Sequence, residues 1–119
     1  MASSRSSVKL GLGVGIFVLT LATALIHLYL GLGFGIMMFT LNGLGYLGLL
    51  AALQLPISQL ARFRNIVRWV LVAYTALTVV LYFILASPSF IGLTDKAIEV
   101  ALIALLIADA FTGSSKPPG

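Results

Sequence analysis

The sequence has no cysteine, one histidine and three carboxylates in 119 residues. Without thiols it can hold no disulfide, iron–sulfur cluster or thiolate metal site, and their absence leaves the redox compartment open. Charge is scarce: 8% of residues are charged, where a soluble domain has about a quarter. Apart from hydroxyls, the lone histidine and the three carboxylates are the whole inventory for acid–base chemistry. No catalytic residue, metal or cofactor is therefore expected, and the chain does not read as an enzyme. The formal charge of +4 is spread over separate loops instead of one patch, which argues against a nucleic-acid partner.

What fills the chain is apolar: 61% of its residues are hydrophobic. That composition belongs to an integral membrane protein in contact with the lipid bilayer, and the length allows one domain, residues 1–119. Residues 10–30 carry no formal charge and as a helix would extend about 31 Å, enough to cross a hydrocarbon core. Arg5 and Lys9 before this run, with Ala22-Thr23-Ala24 inside it, imitate a signal peptide. The run continues to Leu30, however, and an uncleaved first span is expected. A second span is expected over 34–55, stopped by Pro56, which cannot continue a helix. A third is expected over 66–86, followed by Pro88, and a shorter fourth over 95–111, crowded at its ends by Lys96, Glu99 and Asp109. Residues 57–65 read as an interfacial loop or short surface helix. Residues 1–8 and 112–119 read as tails, the first of them mobile.

Arg5 and Lys9, then Arg62, Arg64 and Arg68, then Lys116 all fall on one side of such a four-span chain, and only Lys96 falls on the other. The excess of basic residues assigns both termini to the cytoplasm. The fold class expected is thus all-α, a four-helix transmembrane bundle in a cell (inner) membrane. Arg62, Arg64, Arg68, Trp69 and Lys96 act as interface anchors.

Residues 11–21, Gly-Leu-Gly-Val-Gly-Ile-Phe-Val-Leu-Thr-Leu, echo 31–41, Gly-Leu-Gly-Phe-Gly-Ile-Met-Met-Phe-Thr-Leu, with seven of eleven positions identical. An inverted repeat of the kind transporters use is one reading. Chance or simple duplication is the preferred one, because the later spans show no echo. Gly43-Leu-Gly-Tyr-Leu-Gly48 fits a dinucleotide fingerprint but lacks the strand and helix start that would confirm it. Small residues four apart (Gly11 and Gly15, Gly31 and Gly35, Gly48 and Ala52, Ala104 and Ala108) are better read as faces for close helix packing, inside the bundle or against a partner.

His27 and Glu99 lie at matching depth in the outer half of the membrane, so a pair is possible, and an ionisable residue in a span is a functional candidate. The simpler expectation is that His27 bonds a carbonyl or hydroxyl and Glu99 pairs with Lys96. Asn42 and Tyr46, one turn apart, could line a small polar pocket with Tyr74, Thr75 and Thr78. Asp109 is expected to pair with Arg64 or Arg68.

In size and span number the chain is similar to small multidrug resistance transporters, but it lacks their first-span glutamate and is too charge-biased for dual topology. His27-Leu-Tyr-Leu-Gly31, Leu41-Asn-Gly-Leu-Gly-Tyr46, Arg68-Trp69, Ala73-Tyr-Thr75 and Asp95-Lys96 with Glu99-Val100 more closely resemble the pattern of small uncharacterised four-span prokaryotic membrane proteins. That resemblance implies no activity. The leading expectation is a non-enzymatic accessory or self-assembling helix-packing subunit, as a homo-oligomer or with a membrane-protein partner. The alternatives are a small transporter or proton-coupled carrier using His27 and Glu99, and a pigment- or quinone-binding subunit.

Overall fold

The computed structural model describes residues 2–85 and 89–114, and over these the protein is helical with short connections. Pro88, Lys116 and the side chain of Arg5 lie outside the described residues. The elements are α1 (Ala2–Phe34), α2 (Met37–Gln54), α3 (Ser58–Ala61), α4 (Arg64–Leu85) and α5 (Phe90–Ser114). Three stretches, Ser7–Phe34 within α1, Met37–Gln54 and Arg64–Leu85, are long and apolar enough to cross a membrane. The fourth long helix, α5, carries Asp95, Lys96, Glu99 and Asp109.

Several boundaries differ from expectation, each for a local reason. α1 starts at Ala2, so the expected N-terminal tail is helical. It also runs past Leu30 to Phe34, because the glycines at 31 and 33 adopt helical geometry and only Gly35 has a positive φ, 69°. There the Ile36 N–H donates to the Gly31 carbonyl at 2.8 Å, the bond that closes a helix on a left-handed glycine. Gly35 is thus a turn residue, and not part of a packing face. The 31–41 segment straddles this turn while 11–21 lies in mid-helix, so the sequence echo is not a structural repeat.

α2 ends at Gln54, and Leu55 is held extended (φ −67°, ψ 133°) before Pro56. The Arg64 guanidinium satisfies the terminal carbonyls of α2, donating to Leu53 O at 2.7 Å and Leu55 O at 2.8 Å. Ser89 precedes α5 and its Oγ accepts from the Gly92 N–H at 3.1 Å, the geometry of a serine cap. α5 therefore starts five residues before the expected position. Asp95 and Lys96 sit in its second turn.

α1 packs along both α2 and α5, α4 packs on α5, and α2 and α4 meet over a shorter stretch, which leaves α1 and α4 at opposite corners. Ile16, Ala24, Tyr46, Leu53, Leu71, Leu102 and Leu106 form the shared core. Not every small residue serves it. A side chain on Gly31 would collide with the Thr40 backbone and one on Gly43 with Ala24 O and Leu28, whereas Gly11 and Gly48 face open space. Ala104 and Ala108 are exposed.

Polarity is distributed opposite to that of a soluble domain. Leu10, Leu44, Val80, Phe83 and Phe111 are each more than half exposed, while Thr20, Thr23, His27, Asp95, Glu99 and Asp109 are buried. Polar side chains therefore have to find their partners inside.

Candidate functional site

The buried face of α1 carries Ile16, Thr20, Thr23, His27 and Gly31 at three- and four-residue spacing, and α5 opposes it with Asp95, Glu99, Leu102 and Leu106. Both stripes change from apolar to ionic in the same direction along the pair. Antiparallel packing therefore brings the ionic ends together.

His27 is 5% exposed, and its Nδ1 lies 2.8 Å from the Thr23 carbonyl. A carbonyl only accepts, so Nδ1 carries a hydrogen. Nε2 then faces Asp95 Oδ2 at 3.6 Å. In a neutral ring of this tautomer Nε2 is an acceptor, so a lone pair opposes a carboxylate and a proton is what would join them. The expectation that His27 bonds a carbonyl holds in geometry, and the carboxylate facing its ring is Asp95, with Glu99 nearby. Donor atoms of His27, Asp95 and Glu99 all lie within 4.8 Å of one another.

Thr23 Oγ1 lies 2.6 Å from Asp95 Oδ1 and 3.2 Å from Glu99 Oε2. Its single hydroxyl proton favours the shorter bond to Asp95. The Tyr46 hydroxyl donates to Glu99 Oε2 at 2.5 Å, and Thr78 Oγ1 lies 3.0 Å from the same oxygen. Lys96 closes the group: its Nζ contacts Glu99 Oε1 and lies 3.2 Å from Asp95 Oδ2. The 96–99 pair matches the sequence expectation, and it is buried, with Glu99 at 0% exposure.

The three-residue set His27, Asp95 and Glu99 has the composition of a metal site, yet the Lys96 ammonium stands between its carboxylates. The chain thus supplies a cation of its own there. A pigment ligand would need an imidazole nitrogen turned outward, and here one is bonded to Thr23 and the other faces Asp95.

Above this centre lies a cavity of about 710 Å³ lined by residues of α1, α2, α4 and α5, among them His27, Asn42, Tyr74, Asp95 and Lys96. It falls within the size range of small-molecule sites. Most of its wall is apolar, and exposed Met38, Leu41, Leu77, Leu81 and Leu85 line it from α2 and α4. Below it the Tyr74 hydroxyl donates to Asn42 O at 2.8 Å, and Tyr46 bonds Thr78 at 3.0 Å. Asn42 thus lines a mostly apolar cavity, whereas Tyr46 lies outside its lining and bonds Thr78 and Glu99. Asn42 Oδ1 is buried without a hydrogen-bond partner.

A second ionic group lies 18 residues before His27 on α1, about 27 Å along the helix. Asp109 accepts from Lys9 at 2.6 Å and from Arg68 at 2.9 Å. The expected Asp109–Arg68 pair is present. Arg64 is not in it, because its guanidinium caps α2. Arg62 stacks over the Phe63 ring at 5.8 Å, and Trp69 is 42% exposed.

Asp95, Thr23 and Lys9 are not among the candidate site residues read from sequence. The available signal was the Asp95–Glu99 spacing of four, continued by Leu102 and Leu106, which puts both carboxylates on the buried face of α5. No protein-family model, curated protein or solved structure matches the chain.

Removing Lys96 leaves two adjacent buried carboxylates without their cation. Lys96→Met is expected to cost about 3–5 kcal/mol of stability. Adding Glu99→Gln to it should recover at least about 1 kcal/mol, because the two positions interact directly. Thermal unfolding followed by circular dichroism in a mild detergent measures both, and strictly additive losses would contradict the ionic coupling.

Proposed function

We propose that the protein is a four-span protein of a cell (inner) membrane, with both termini cytoplasmic, that acts as a small proton-coupled carrier centred on His27, Asp95 and Glu99. Assigning α5 as the fourth span is supported by its length, 25 residues or about 37 Å of helix, and by its inward-turned charges. Asp95, Lys96, Glu99 and Asp109 are all buried, whereas Val100 and Phe111 face outward. The orientation is supported by Lys9, Arg62, Arg64 and Arg68 collecting at the end that carries Asp109. The ionic centre then lies in the outer half of the membrane.

One observation carries the carrier reading. Nε2 of His27 faces Asp95 Oδ2 at 3.6 Å, beside a cavity that both residues line. A proton arriving between Nε2 and Oδ2 therefore changes the charge that the cavity presents to its contents. Because the chain has a single histidine, His27→Gln removes imidazole chemistry altogether. In proteoliposomes with a pH-sensitive dye inside, the protein is expected to move protons across the membrane, and His27→Gln is expected to abolish that flux. A flux unchanged by the substitution would contradict proton coupling.

A second reading, self-assembly, is favoured by Ala97, Ala101, Ala104 and Ala108, which form an exposed small-residue stripe along α5 suited to close helix approach in lipid. The cysteine-free background makes the test direct. Ala104→Cys is expected to form disulfide-linked dimers in membranes under mild oxidation, and Val80→Cys on α4 is not. Equal yields from the two positions would remove the preference for α5.

A further inference from the structure

We propose that a groove at the Asp109 end of the bundle holds one anionic phospholipid, its phosphate against Lys9, Arg64 and Arg68 and an acyl chain along Leu10, Val14 and Phe17 of α1. The inference goes beyond the carrier reading and rests only on the membrane placement proposed with it. The charge of the groove, its open floor and the order of its lining all point to that ligand.

The groove has a volume of about 520 Å³ and is lined from α1, α2, α4 and α5, with Lys9, Arg64, Arg68 and Asp109 as its ionic members. Lys9 and Arg68 each take one oxygen of Asp109, at 2.6 and 2.9 Å. One carboxylate cannot balance both. Arg64 has no carboxylate partner among the described residues, and its bonds go to Leu53 O and Leu55 O. Those carbonyls hold the guanidinium in place and leave its charge uncompensated. Arginine stays protonated in proteins, so the two guanidiniums alone outweigh Asp109. The positive excess therefore holds whatever the state of Asp109 or Lys9.

Donors also remain to be used. Arg64 and Arg68 are four apart on α4, which places them on one face, and each guanidinium has five N–H donors. Arg64 spends two bonds on carbonyls, and Arg68 bonds Asp109 and Asn65 Oδ1. The remaining N–H groups suit a phosphate, whose oxygens match the guanidinium fork.

The floor of the groove is open at Gly13. A Cβ added there meets nothing within 4 Å, while the Gly13 carbonyl accepts from Gln54 Nε2 at 2.9 Å and ties α1 to α2. On α1 the lining continues as Lys9, Leu10, Gly13, Val14 and Phe17, a stripe at three- and four-residue spacing. It begins ionic and turns apolar toward the middle of the helix. Leu10, Val14 and Phe17 are exposed, on the outside of the bundle where acyl chains run. A small anion would leave this part of the groove empty. A zwitterionic phospholipid would bring its own cation against Arg64 and Arg68, and like charges at close range repel. The complement is a phospholipid whose headgroup carries negative charge alone, the kind that basic pockets between spans attract.

The test is native mass spectrometry of the full-length protein in mild detergent, after addition of phosphatidylglycerol or of phosphatidylcholine with the same acyl chains. Phosphatidylglycerol is expected to add saturably, one per chain, and to resist displacement by excess inorganic phosphate. Phosphatidylcholine is expected to add without saturating. Arg64→Gln should weaken the phosphatidylglycerol complex by about tenfold or more, the effect of losing hydrogen bonds from a charged donor. Gly13→Leu, which fills the groove and leaves every ionic group in place, should weaken it similarly and guards against disturbance of the α2 end in the Arg64 variant. Arg62→Gln removes the same charge from an exposed residue outside the lining and should leave binding within about twofold, because exposed charges are screened. Equal binding of the two lipids, displacement by inorganic phosphate, binding unaffected by Gly13→Leu, or equal losses from Arg62→Gln and Arg64→Gln would each overturn the proposal. A chain that stays in solution without detergent removes the membrane placement and the lipid site with it. Proton flux enters none of these readouts, so the lipid site and the carrier reading fail separately.

Discussion

Burying His27, Asp95, Lys96 and Glu99 together is the constraint on which the rest of the arrangement depends. Ionised groups taken out of water cost several kcal/mol each unless opposite charges and hydrogen bonds replace the lost hydration. Here the replacements come from all four long helices: Thr23 and His27 on α1, Tyr46 on α2, Thr78 on α4 and Lys96 within α5 itself. No pair of helices can satisfy the two carboxylates alone. Docking of α1, α2 and α4 around α5 and satisfaction of the charges are thus one event.

The Asp109 group at the other end acts in the same way. Lys9 and Arg68 converge on one carboxylate, joining α1 and α4, which otherwise sit at opposite corners. Between Lys9 and His27 α1 advances 18 residues, whereas α5 advances 14 between Asp95 and Asp109. The difference, about 6 Å of helix, is within the reach of the Lys9 side chain. Two ionic fastenings and the apolar layer between them, Ile16, Leu71, Leu102 and Leu106, set the register of antiparallel helices. In the membrane setting proposed for the chain, apolar contacts alone would discriminate poorly among registers, because in lipid there is no hydrophobic gain from pairing.

Much of this was legible in the sequence because apolar length is a strong signal: each expected span overlaps an observed helix. The boundaries were less legible. Glycine spacing at 31–35 suggested a turn but could not say which glycine would take the positive φ. Gly35 takes it, and the helix continues through the others. The cap at Ser89 is a weak signal beside Pro88, so α5 reads five residues too short, with Asp95 at its first position. Glu99, His27, Asn42 and Tyr46 are legible as candidates, whereas Asp95 emerges only once the longer helix places it one turn before Glu99 on the buried face. The pairing of Asp109 with Arg68 could be read from depth along the helices. That Arg64 would turn to the carbonyls ending α2 could not, because it depends on how sharply the chain folds back after Pro56.

The claim most exposed to experiment is that His27 and Asp95 meet across the α1–α5 interface. Solid-state NMR on lipid-reconstituted protein carrying ¹⁵N-histidine and ¹³C-carboxyl aspartate measures this directly. Only one histidine and two aspartates are present, and Asp109 lies at the opposite end. A ¹⁵N–¹³C dipolar coupling consistent with the Nε2–Oδ2 separation of 3.6 Å is the predicted result. No detectable coupling in a fully helical sample would contradict the account.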